Sequence, residues 1–130
     1  MSNVVKTHKA AAGKIAFEID IGEHHVIADE PPDVGNDLGP NPHEILDASL
    51  AACTSLTVLL VAQRKQWPLT DVHVEITHAA DDTTYRMTRT LELIGTLTDE
   101  QKQYLLGIAN KCPVHKTLHK KIEVTTTLQE

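Results

Sequence analysis

The stretch Asn41-Pro-His-Glu-Ile-Leu-Asp-Ala-Ser-Leu-Ala-Ala-Cys-Thr-Ser-Leu-Thr-Val-Leu-Leu-Val-Ala-Gln-Arg-Lys-Gln-Trp-Pro68 decides the fold. Asn41 is an N-cap residue, Pro42 occupies the first helical position and Glu44 the third, a combination that marks a helix start. The helix is expected to run to about Gln66, because Arg64 and Lys65 suit the negative end of its dipole and Trp67-Pro68 stops it. Between these ends Ile45, Leu46, Ala48, Leu50 and the run Leu56 to Val61 leave almost no polar face. Such a helix must be covered on nearly all sides. Asp47, Ser49, Thr54, Ser55 and Thr57 break it too often for a bilayer span, so it reads as the core helix of a soluble protein with no membrane partner. One chain of 130 residues has little with which to surround it. A dimer that wraps it from both subunits is the natural remedy.

Outward from this helix the pattern changes to period two. Ile15, Phe17, Ile19 and Ile21 alternate with Ala16, Glu18 and Asp20 before Gly22, which predicts a strand and a turn. His25 to Glu30 is a second strand, ended by Pro31-Pro32, and the loop 31–41 is dense in turn residues. The front section thus reads as a β-meander. Beyond the helix, Val72, Val74 and Ile76 share one parity, and Tyr85, Met87, Leu91, Leu93 and Leu97 share another. These are two strands joined by Asp81-Asp82. Thr98 and Gln101 occupy capping-box positions of a second helix that Cys112-Pro113 ends. A short helix over 113–118 leads to a last strand, with Ile122, Val124, Thr126 and Leu128 on one face. The order β-β-α-β-β-α-β predicts a single α+β domain over 1–130, not a doubly wound sheet.

A formal charge of −6 excludes a polyanion partner, since phosphate binding needs a basic face. With aromatic residues only at Phe17, Trp67, Tyr85 and Tyr104, nucleic-acid stacking platforms are missing as well. The first twenty residues carry Lys6, Lys9 and Lys14 and no apolar secretory run, which points to the cytoplasm. Two cysteines in that reducing compartment suggest redox chemistry rather than a structural staple.

Cys53 lies mid-helix, where a small core hydrophobe and a nucleophile are both admissible readings. Its own helix gives little help, the N-cap being roughly 18 Å away at 1.5 Å per residue. An external cation would be needed. Arg89 shares strand parity with Met87, Leu91 and Leu93 and should point inward, towards Glu44, Asp47 or the Cys53 thiolate as its anion, unless a bulge turns it out. Cys112 sits at a helix junction, either as a packing residue or as a partner that condenses with an oxidised Cys53. Ile45, Leu50, Leu56 and Met87 would supply apolar walls. Cys112, His115 and His119, with Cys53, His24 or His25 as a fourth ligand, have zinc-ligand types at tight spacing, but no paired CxxC supports the reading. Exposed residues of a Lys-rich turn are the plainer account of His115 and His119. No cofactor or metal is expected.

Taken together, Gly39-Pro-Asn-Pro-His-Glu-Ile-Leu, Ala51-Ala-Cys53-Thr, Arg64-Lys-Gln-Trp67-Pro-Leu, Gly95-Thr-Leu and Ile108-Ala-Asn-Lys-Cys112-Pro-Val-His115-Lys-Thr-Leu resemble the OsmC/Ohr family of osmotically inducible and organic hydroperoxide resistance proteins. The resemblance runs from about residue 28 to residue 128. It implies an intertwined α+β homodimer, sheets wrapped around long central helices, and a thiol peroxidase reducing organic hydroperoxides or hydrogen peroxide. It further implies Cys53 as the peroxidatic and Cys112 as the resolving cysteine, the thiolate being held in the family by an arginine of the N-terminal sheet and a glutamate at the start of the central helix. In this sequence Glu44 and Arg89 are the charges expected to act beside the cysteines, with an external dithiol, a lipoyl group or a small thiol, as reductant. Two departures are visible. No arginine precedes Arg64, leaving Lys6, Lys9 or Lys14 in place of an N-terminal arginine, and His43 stands where the family has a glutamate, with Glu44 turned about 100° further round the helix. These departures place the chain nearer the OsmC-like branch. A non-catalytic dimer that binds a small ligand or senses stress is the alternative.

Overall fold

Alternating side chains and turn residues build the first unit of the chain. The computed structural model describes residues 3–129. Its elements are β1 (Val5–Lys9), β2 (Phe17–Ile21), β3 (His24–Ala28), α1 (Pro42–Arg64), β4 (Leu69–Ala80), β5 (Tyr85–Gly95), α2 (Asp99–Ala109) and α3 (Pro113–Leu118). The chain divides into two units, one up to Leu46 and one from Asp47 onward.

In the first unit β1, β2 and β3 form an antiparallel meander, with Thr7 opposite Ile19 and Ile19 opposite Val26. The loop after β3 is ordered around Asp29, a buried carboxylate that accepts the backbone N–H groups of Glu30, Asn36 and Leu38. Burial acts to raise its pKa, but those three donors prevail and hold it below the ordinary carboxylate value. Gly39 completes this loop, because a Cβ there would lie 2.0 Å from the Ile27 carbonyl oxygen. The Asn41–Glu44 capping box also forms: Asn41 Oδ1 accepts the Glu44 N–H and Glu44 Oε1 accepts the Asn41 N–H, each at 2.9 Å.

In the second unit β4 and β5 pair antiparallel in the register Val72–Leu93, Val74–Leu91, Ile76–Arg89 and His78–Met87. This places the apolar positions of both strands on one face. Against that face pack α1 and α2, whose Val58, Ala62, Leu105, Ile108 and Ala109 form the buried core with Leu69. The predicted capping box of Thr98 and Gln101 opens α2. Gly95 ends β5 at φ 146°, where a Cβ would stand 2.1 Å from the Pro68 carbonyl oxygen.

One expectation is corrected here. The predicted last strand does not form: among the described residues, 120–129 belong to no strand, and Ile122, Val124 and Leu128 are exposed. Within one chain α1 is covered on one face only. It is long and apolar enough to cross a membrane by length and composition, but it buries only the stripe Asp47, Leu50, Thr54, Val58 and Ala62, while Leu56 remains 66% exposed. The stripe recurs every three or four residues because only one helix face meets the β4–β5 sheet and α2.

Candidate active site

The sequence places Cys53 on α1 and Cys112 at the junction of α2 and α3, and the fold brings both to the first turn of α3. Cys112 is its N-cap, with Pro113 at the first helical position. The Cys112 sulfur is fully buried and accepts the His115 N–H at 3.3 Å. One residue earlier, the Val114 N–H donates to the Cys53 sulfur at 3.5 Å. Adjacent backbone donors therefore address the two sulfurs. Both thiols are free, and Cys53 is half-buried with Thr57 Oγ1 3.9 Å from its sulfur.

Arg89 does point inward, as its parity on β5 requires, but its partners are not the expected anions. Nη1 donates to Thr54 Oγ1 at 3.1 Å, while Nη2 donates to Asn110 Oδ1 at 2.9 Å and to His115 Nδ1 at 3.3 Å. All three acceptors are neutral. A guanidinium only donates, so the His115 proton must sit on Nε2. Burial, followed by the Arg89 charge and then His119, holds the His115 pKa below its ordinary value. His115 and His119 stack with centroids 4.6 Å apart. His115 is thus half-buried and engaged, not the exposed turn residue that its Lys-rich surroundings suggest.

Asp47, the other anion considered for Arg89, is held elsewhere. Its carboxylate accepts the Tyr85 hydroxyl at 2.7 Å and pairs closely with His78 Nδ1. His78 and Tyr85 stack with centroids 5.0 Å apart. Burial, then the hydrogen bond to Asp47 and its negative charge, pushes the Tyr85 phenol up to about 12. Glu44 lies in the first turn of α1, in the N-terminal unit, where its carboxylate serves the capping box. The candidate substitutes for an N-terminal arginine are partly committed as well. Lys9 Nζ donates to the Ala10 and Gly13 carbonyls, and Lys14 Nζ to that of Asp33.

Next to this network lies a cleft of about 370 Å³, lined by Leu50, Tyr85, Arg86, Met87, Arg89, His115, Leu118 and His119. It combines an apolar wall with cationic and imidazole groups. Leu50 and Met87 contribute as expected; Leu56 does not, since it faces away from the sheet. Among the described residues no three His, Cys, Asp or Glu side chains are grouped so as to hold a metal ion, so Cys112, His115 and His119 do not form the zinc site that their types suggested.

Sequence reasoning missed Thr54, Asn110 and His115 as a connected set. Thr54 reads as an interruption of an apolar run, and Asn110 stands in the sequence only as part of the motif over 108–118. Their common partner Arg89 could have indicated them, since an inward guanidinium must find acceptors.

A family model described as OsmC-like protein matches residues 35–127. No curated protein matches the chain. Among solved structures, an OsmC-like protein from Mycoplasma pneumoniae superposes with a TM-score of 0.77 at 17% identity, over 91% of this chain and 87% of that one. An organic hydroperoxide resistance protein OsmC from Legionella pneumophila gives 0.65 at 20% identity, over 92% and 90%. The organic hydroperoxide resistance protein OhrB of Bacillus subtilis gives 0.62 at 21% identity, over 92% and 91%. These structures share the α+β fold of this chain.

Proposed function

The chain belongs to the family of OsmC-like proteins, and from that premise we propose that it is a thiol-dependent peroxidase that reduces organic hydroperoxides or hydrogen peroxide in defence against oxidative stress. The observation that carries this reading is the pair of bonds from consecutive amides, Val114 N–H to Cys53 Sγ and His115 N–H to Cys112 Sγ. Two free thiols converge on one turn of backbone. The hydroperoxide resistance proteins among the structural relatives point the same way.

In the proposed cycle Cys53 gives up its proton and the thiolate attacks a peroxide oxygen. The O–O bond breaks, the departing alkoxide, or hydroxide from hydrogen peroxide, takes up that proton and leaves as alcohol or water, and Cys53 becomes a sulfenic acid. The Cys112 sulfur then attacks the Cys53 sulfur. The S–O bond breaks, and the departing hydroxide takes the Cys112 proton to form water. An external dithiol, a lipoyl group or a small thiol, reduces the disulfide through a mixed disulfide and returns both thiols. Arg89 is a positioning residue that ties β5 to Thr54, Asn110 and His115 around Cys112. The protein works in the cytoplasm, where the resting thiols stay reduced.

The working unit is a homodimer. Its support is the exposed apolar surface of one chain among the described residues: Leu56 and Leu60 along α1, and the alternating Ile122, Val124 and Leu128 of the C-terminal segment. Replacing Leu56 and Leu60 by glutamate should then lower the sedimenting mass to that of one chain.

The peroxidase reading is tested by mass spectrometry after stoichiometric cumene hydroperoxide. Rapid loss of two hydrogens in the wild type, and a sulfenic or over-oxidised species confined to Cys53 in Cys112→Ser, is the expected result. Oxidation of both cysteines no faster than a free thiol rejects it. A small-ligand-binding or stress-sensing dimer is the second reading, favoured by one observation: Arg89 donates to neither sulfur.

A further inference from the structure

Thr54 follows Cys53 on α1 and is fully buried, and its hydroxyl has three neighbours within contact distance. A hydroxyl has one hydrogen and two lone pairs. The hydrogen goes to the Leu50 carbonyl at 2.7 Å, the shortest of its contacts. One lone pair accepts the Arg89 Nη1–H at 3.1 Å. What remains towards Cys112 Sγ, 3.9 Å away, is a lone pair alone.

We infer that Thr54 is a positioning residue that accepts the S–H of Cys112 and so fixes the orientation of the second sulfur. The other side of Cys112 agrees with this polarity. Its sulfur already accepts the His115 N–H, so a thiol at this place has one donor and one acceptor, each matched. Turning the Thr54 hydroxyl round to donate to sulfur would leave the Leu50 contact and set two donors against a neutral S–H. Cys53 lies in the contrasting arrangement: Val114 N–H donates to its sulfur, and the Thr57 hydroxyl, for which no other hydrogen bond is found among the described residues, stands at 3.9 Å. The two sulfurs are thereby distinguished by threonines at successive turns of the same helix face, one accepting and one able to donate.

The consequence for chemistry rests on the peroxidase reading. When Cys112 condenses with a Cys53 sulfenic acid, an S–S bond forms, the Cys53 S–O bond breaks, and the Cys112 proton joins the departing hydroxide as water. A Cys112 S–H held by Thr54 keeps that proton placed and the sulfur in one rotamer until Cys53 is oxidised. Thr54 therefore acts on disulfide closure and not on the attack by Cys53.

The hydrogen bond can be tested apart from any activity. The chain has two cysteines, so in Cys53→Ser every S–H stretching band in the infrared belongs to Cys112. A band below the frequency of an unbonded thiol is expected, moving up in Cys53→Ser/Thr54→Val and staying low in Cys53→Ser/Thr54→Ser. A Cys53→Ser protein whose band sits at the unbonded position, or that shows no S–H band, overturns the inference without need of the valine variant. With both cysteines present, Thr54→Val should slow disulfide closure by about tenfold, the loss of one hydrogen bond, and leave sulfenic acid formation within about twofold, with Thr54→Ser restoring closure. Equal slowing of both steps also overturns it. If neither step occurs in the wild type, the peroxidase reading fails while the infrared result stands by itself.

Discussion

Cys112 caps the helix whose first turn also donates to Cys53: the Cys112 sulfur takes the His115 N–H at 3.3 Å, and the Val114 N–H reaches the Cys53 sulfur at 3.5 Å. The same residue therefore caps a helix and stands in the candidate site. Any substitution meant to remove chemistry at Cys112 also changes a helix cap.

The two roles separate by choice of substitution. Cys112→Ala leaves the His115 N–H without its acceptor and a small void at a fully buried position, and should cost about 2 kcal/mol. Cys112→Ser keeps an acceptor at the cap and should cost less than half of that. Urea denaturation of the two variants checks the order; a serine variant less stable than the alanine one would show that the cap is not what Cys112 contributes to stability.

Core and surface are adjacent on α2. Leu105 is fully buried among Val58, Ala62 and Ile108, whereas Leu106 is 48% exposed. Leu105→Ala should destabilise by about 2–5 kcal/mol, the range for leucine truncation in a packed core, and Leu106→Ala by no more than about 0.5 kcal/mol in the separated chain. Thermal or urea unfolding reads both. A large loss at Leu106 would mean that a second surface covers it in the assembled protein.

Those elements follow from short-range rules. Pro42 starting α1, Pro113 starting α3 and the Thr98–Gln101 box are legible because each depends on neighbours in the chain. The inward direction of Arg89 follows from strand parity. Its acceptors do not, since Thr54, Asn110 and His115 come from three helical segments that only the tertiary packing brings together. β1 is invisible for a different reason: Val-Lys-Thr-His-Lys has no apolar alternation, and its strand character comes from pairing with β2. The converse error is the C-terminal segment. Its alternation at Ile122, Val124, Thr126 and Leu128 promises a strand, but among the described residues of one chain it joins no sheet. Periodicity reports which face wants burial and says nothing of which chain provides the partner.

Asp47 fixes Tyr85 and His78 at the edge of the cleft, and this has a spectroscopic consequence. In Tyr104→Phe, Tyr85 is the one tyrosine left, and its phenolate absorbance should appear at about 12. Adding Asp47→Asn removes the negative charge and weakens the hydrogen bond, so the titration should move down towards 10. Because folding raises this value, Tyr85 supports the folded state at pH below 10, and that support is lost as pH rises towards 12. A titration unmoved by Asp47→Asn would leave burial as the sole cause.

His115 makes the cysteine network sensitive to acid. Its pKa is depressed by burial first, then by Arg89 and by His119, so it lies below the ordinary 6.5 and the ring is neutral at pH 7. In that state Nδ1 accepts from Arg89 Nη2. Protonation converts the acceptor to a donor and sets two cations against each other. Since the unfolded chain takes up this proton first, stability carried by His115 is intact above 6.5 and is lost as pH falls from 6.5 through the folded value. His73 runs the other way: its hydrogen bonds to Asp71 and then to Glu92 raise its pKa, and its support is full below 6.5 and fades as pH rises through the folded value. Proton NMR titration of the imidazoles, assigned with His115→Gln and His73→Gln, should place His115 below 6.5 and His73 above it. Arg89→Gln should then raise the His115 value without bringing it fully to 6.5, because burial remains. A His115 that titrates at or above 6.5 in the wild type would contradict the acceptor role of Nδ1, and with it the arrangement that holds Arg89 beside Thr54.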